Sequence, residues 1–157
     1  MLLTLCNIRA QFAPELGLLR FQWSAAPTGR PRFQRSMSSV AQLVEQGDVA
    51  AVILDLHGLP SLGLDEQLWL AANWLSRVSV RAIEQVALVI PTDNMYNQMV
   101  VESLIRAGRH FIHYEIQFFS NAAGALDWLV GEQNPAAQLA LEQEWQPCPA
   151  ALPQLHD

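Results

Sequence analysis

Residues 49–54, VAAVIL, form an unbroken apolar run that ends at Asp55. A run without polar alternation belongs to a strand covered on both faces. The residues that follow, His57, Gly58, Pro60, Ser61 and Gly63, carry turn chemistry, and Asp65 and Glu66 are acids suited to a helix N-terminus. A second apolar run, residues 85–90, stops at Pro91, and Thr92, Asp93 and Asn94 supply caps for a helix from about residue 95 to residue 107, with Tyr96, Val100, Leu104 and Ala107 as its core stripe. Two strand, loop and helix units in succession predict a parallel arrangement.

The flanking segments complete the order. Residues 2–8 are apolar and strand-compatible, and residues 16–23 alternate Leu19, Phe21 and Trp23 against Arg20 and Gln22, with Ala13-Pro14-Glu15 as the turn of an antiparallel hairpin. Phe33, Met37, Val40, Ala41 and Val44 recur at helical spacing up to Gly47. In the helix predicted over 64–81, Leu64, Leu68, Ala71, Leu75 and Val78 make the sheet-facing stripe, while Leu70 and Trp74 fall outside it. That geometry predicts Leu70 and Trp74 on the outer side, covered by a second copy of the chain, a protein partner or a tail helix through Leu141 and Trp145. Residues 110–119 read as a last strand, followed by a helix capped by Ser120 or Asn121 and another opened by Asn134-Pro135. The expected architecture is α/β, an open, mixed, mostly parallel five-stranded sheet with an opening hairpin and an extra C-terminal helix. One domain spans 1–131, and 132–157 hold that helix and a tail with Pro147, Pro149 and Pro153.

Composition narrows the function classes. The chain has 157 residues, 51% hydrophobic and 15% charged, which favours an oligomer or a docking surface. A net charge of −6 argues against nucleic acid as a partner, with Arg30, Arg32 and Arg35 the one basic cluster. No lysine occurs, which removes Schiff-base chemistry and a Walker-type phosphate loop. Cys6 and Cys148 offer neither a disulfide framework nor a thiolate metal site. With an opening that is a poor signal peptide and too short to span a membrane, these features predict a cytoplasmic protein.

Asp55, His57, Asp65 and Asp93 could converge at the strand ends, where carboxylates beside an imidazole serve as acid and base or hold a metal. A simpler role is available for each: Asp55 accepting from loop amides, Asp65 stabilising a helix N-terminus. His110 and His113 point to opposite strand faces and cannot share a metal. No HExxH, GxSxG or GxGxxG motif occurs, so neither metal nor cofactor is expected. The loops after Asp55 and Ile90 are instead expected to form one polar surface, with His57, Ser61, Thr92 and Asp93 receiving a small ligand or a partner segment.

The element order, with V-I-L-D-L-x-G at 52–58, Trp23 after the second expected strand, Phe119, and Ala125-Leu126-Asp127-Trp128-Leu129, resembles the STAS domain family, in particular stand-alone bacterial proteins related to the sporulation anti-anti-sigma factor. The resemblance covers residues 1–131 and implies a regulatory module. In signalling members a Ser or Thr at the start of the helix after the Asp strand is phosphorylated; that position falls here at Leu64 or Asp65, neither of which accepts a phosphate. The function expected is a non-catalytic, STAS-like module binding a protein or small ligand without the usual phospho-switch. The alternative is a small hydrolase or transferase using Asp55, His57 and Asp93.

Overall fold

The structure is a computed structural model that describes residues 1–24, 29–59 and 61–146. Pro27, Pro60, Cys148, His156 and the tail prolines Pro147, Pro149 and Pro153 lie outside the described residues, as does the side chain of Arg30. Six strands, β1 (Leu2–Leu5), β2 (Ile8–Ala13), β3 (Leu18–Trp23), β4 (Ala51–Asp55), β5 (Gln85–Val89) and β6 (Glu115–Phe119), lie side by side in chain order. β1, β2 and β3 pair antiparallel, and β3 to β6 pair parallel.

Three parallel connections, each moving one strand further along, place their helices on one face, because such crossovers are right-handed. These are α1 (Arg30–Gln46), α2, which runs through 64–78, and α3 (Met95–Ala107). Together with Leu19, Phe21, Val52 and Leu88 they enclose the larger core. The other face is covered by α4, which runs through 122–131, and by α5 (Pro135–Trp145), over Leu18, Ile53, Ala87 and Val89. Neighbouring residues of β4 therefore enter different cores, Val52 one and Ile53 the other, so neither face of the strand is left to solvent.

Four sequence expectations are corrected. The sheet has six strands, not five, because residues 2–13 form two strands joined at Cys6-Asn7, with Leu5 opposite Ile8. This turn has no glycine, and Cys6 takes a positive φ of 60°. Helix α1 holds it: Ser36 Oγ accepts from the Asn7 amide at 3.1 Å, and Arg32 Nε donates to Asn7 Oδ1 at 3.1 Å. Ordered strand at the other end begins only at Glu115, with His110 to Ile112 in a turn closed by amide bonds back to Gly108 and Arg109.

The third correction concerns α2. Leu70 and Trp74 are inside the chain, 5% and 9% exposed, whereas Leu64 and Leu68 are 67% and 60% exposed. Residues Leu70–Trp74 form a π turn between Leu64–Trp69 and Leu75–Val78. A π turn holds more than 3.6 residues, so it shifts the phase of the buried face, and Leu70, Trp74 and Val78, each four apart, come to face the sheet. Leu59 and Leu62, from the loop before the helix, fill the core that Leu64 and Leu68 were expected to fill. The uninterrupted α3 also departs from its expected stripe: Tyr96 and Ala107 are exposed, and Asn97 and Val101 are buried beside Val100. Fourth, α5 packs on the opposite face from Trp74, inserting Leu141 into the second core. Among the described residues no helix is long and apolar enough to cross a membrane.

Candidate functional site

Strands β4 and β5 are neighbours, Asp55 opposite Val89, and the Leu56 amide donates to Val89 O at 2.8 Å, so their exit loops leave one end of the sheet side by side. Asp55 is buried at the end of β4; its Oδ1 accepts the His57 amide at 2.9 Å and lies 2.6 Å from His57 Nδ1. The imidazole is half exposed. The carboxylate orients the ring by the Nδ1 side, which is how a base is aimed, and it also closes the loop. Ser61, Asp65, Thr92 and Asp93 are exposed, and no hydrogen bond or ion pair among the described residues joins Thr92 or Asp93 to the Asp55–His57 pair. No group of three or more His, Cys, Asp or Glu among the described residues stands close enough to hold a metal ion.

The loop between β4 and α2 is built for rigidity. Gly58 has φ +88°, and a Cβ there would lie 2.9 Å from Trp23 O, so only glycine fits. At the other end Leu62 is gripped through its backbone: its amide donates to Asn97 Oδ1 at 3.0 Å, and its carbonyl accepts from Tyr96 Oη at 3.0 Å and Gln67 Nε2 at 2.9 Å. Asn94 caps α3 by accepting the Asn97 amide at 3.1 Å. The side chains of Leu59 and Leu62 turn inward, and they help to line a cavity of about 120 Å³ between the sheet and α1, α2 and α3.

That cavity is apolar. Phe33, Met37, Trp74, Leu88, Val101 and Tyr114 contribute to its wall, and of the described residues around it only Trp23, Trp74 and Tyr114 carry a nitrogen or oxygen on the side chain. Trp74 Nε1 already donates to Met37 O at 2.7 Å, and the Tyr114 phenol lies 3.3 Å from Ser79 Oγ. Burial holds that phenol above its ordinary range, against a smaller opposing effect of the Ser79 contact.

The other sheet face carries a polar row that includes Arg20 and Gln22, the residues alternating with Leu19, Phe21 and Trp23. Strand register places Arg9, Gln22 and Asp55 in one row and Gln11, Arg20 and Ile53 in the next. Helix α5 lies over them. Gln11 Nε2 donates to Leu141 O at 2.9 Å and to Glu144 Oε1 at 2.8 Å, and the Trp145 ring receives Arg20 at 3.8 Å and Arg9 at 4.2 Å. Arg20 is only 6% exposed. Desolvation pushes its guanidinium down to about 10, opposed by Asp55 and Glu142 and reinforced by Arg9. The signal that could have found this site was Trp145, one large aromatic at the end of a helix otherwise short of bulky side chains.

The basic cluster at the start of α1 is not a free anion site as a whole, since Arg32 is committed to Asn7. Compared with protein-family models, curated proteins and solved structures, the chain matches none.

Proposed function

We propose that the chain is a STAS-like, non-catalytic binding module whose ligand carries a small apolar ring or short hydrocarbon segment that enters the cavity between the sheet and α1, α2 and α3. The observation that supports this reading is the cavity itself, about 120 Å³ with an apolar wall. A void of about 150 Å³ lined by aliphatic and aromatic side chains stays dry and accepts benzene, so one of this size and lining suits a single ring. A rigid loop over the cavity, pinned at Leu62, gives ligand occupancy a route to the surface at His57 and Ser61. Leu64 and Asp65 at the start of α2 fit a module that responds to ligand without a phosphate on that helix.

Toluene-saturated buffer tests it. The wild-type chain should gain thermal stability, and Val101→Phe, which fills the cavity, should abolish the gain while remaining folded by circular dichroism. An unchanged melting temperature in wild type would remove the reading.

A second reading, docking of a protein partner or a second copy, is favoured by exposed Leu64 and Leu68 on α2 and Met95 and Met99 on α3. Spaced four apart on each helix, they form two apolar edges, and Gln67 Nε2 donates to Tyr96 Oη at 3.1 Å across the gap. Sedimentation of wild type against Leu68→Glu decides whether this face pairs. The enzyme alternative rests on the Asp55–His57 pair alone, and loss of a hydrolase or transferase activity in His57→Ala would be its support.

A further inference from the structure

We propose that the pocket bounded by Arg20 of β3 and by α4 and α5, on the sheet face opposite the apolar cavity, binds a small organic monocarboxylate. The pocket has a volume of about 410 Å³, and Arg20, Ala122, Leu126, Glu142 and Trp145 are among its walls. Arg20 supplies the reason for an anion. Arg20 is 6% exposed, its buried Nε has no hydrogen-bond partner, and no hydrogen bond or ion pair joins its guanidinium to a described residue. A buried cation without an acceptor is costly, and native proteins keep such a group where something completes it. Asp55 and Glu142 attract it across space, yet neither forms an ion pair with it among the described residues. Arg9 adds a second positive charge over the same indole ring, beside the aromatic wall of the pocket.

The lining selects the class of anion. A guanidinium presents parallel donors that match the two oxygens of a carboxylate. Ala122, Ala123, Leu126 and Trp145 offer a small apolar surface to the rest of the molecule. Glu142 on the same wall repels a second negative charge, which disfavours phosphate and dicarboxylates. The ligand is therefore a single carboxylate on a compact, apolar body. This site shares no wall with the cavity proposed above, so either can fail without the other.

Calorimetric titration of the full chain with benzoate as the probe, and with inorganic phosphate in a parallel arm, tests the assignment. Benzoate should bind saturably and raise the melting temperature, phosphate should do neither, and Arg20→Met should weaken benzoate by at least about tenfold. Because Arg20→Met alters a buried position, Ala123→Trp provides the second variant: residue 123 is exposed at the pocket wall, and the indole should occupy the pocket with Arg20 intact. It too should abolish benzoate binding, whereas Val101→Phe, in the other cavity, should leave it unchanged. Absence of benzoate binding to wild type, equal binding to both pocket variants, or tighter binding of phosphate than benzoate would each overturn the proposal.

Discussion

The indole Nε1 of Trp74 donates a 2.7 Å hydrogen bond to the main-chain carbonyl of Met37, tying the π turn of α2 to the middle of α1. The carbonyl lies within a helix and the indole is 9% exposed, so both the apolar ring and its single donor are satisfied inside one chain.

Trp74→Phe should therefore remove the donor and part of the packing at a cost of roughly 1–3 kcal/mol in urea unfolding, with no change of mass in solution. Trp74→Glu should leave little folded protein, because the charge would have no partner in the apolar core. A soluble, fully folded Trp74→Glu chain would contradict the buried placement.

Gly58→Ala introduces two penalties at one position. Alanine must adopt φ +88°, and its Cβ must approach the Trp23 carbonyl oxygen to 2.9 Å. The expected loss is about 1–3 kcal/mol by chemical denaturation, larger than that of an ordinary surface substitution.

Asp55 and His57 should respond unequally. Asp55→Ala leaves the His57 amide without its acceptor beside a buried strand end, costing about 1–3 kcal/mol. His57→Ala removes a half-exposed ring and should cost less than about 1 kcal/mol. Equal losses measured by thermal melting would show that the imidazole holds the loop as firmly as the carboxylate does.

Tyr114 makes stability fall in alkali. Burial keeps its phenol protonated in the folded chain above the ordinary value of 10.0, while the unfolded chain releases the proton there. The unfolded state binds fewer protons as pH rises through that value, so unfolding becomes easier with each step upward until the folded phenol also ionises. Urea midpoints between about pH 9 and about pH 11 should decline less steeply for Tyr114→Phe than for wild type.

Local chemistry along the chain determined much of the architecture. The all-apolar runs around Val52 and Leu88 identify doubly covered strands, because a strand with a core on each side has no place for alternating polar residues. Asn94, Asn121 and Asn134 mark three helix starts by their own side chains, which accept the amide three residues on. The pairing of Asp55 with His57 was also near at hand, the two being separated by one residue at a strand exit. What tertiary structure alone decided involved partners far apart in sequence. The Cys6-Asn7 turn exists because Ser36 and Arg32 of α1 hold Asn7, contacts that no local pattern encodes. The buried face of α2 was decided by the π turn under Trp74, since one additional residue in a turn rotates every later side chain and the Met37 carbonyl rewards that rotation. Arg20 has the alternation of an outward residue on a half-buried strand, and became a buried cation only because α5, more than a hundred residues later, laid Trp145 across it.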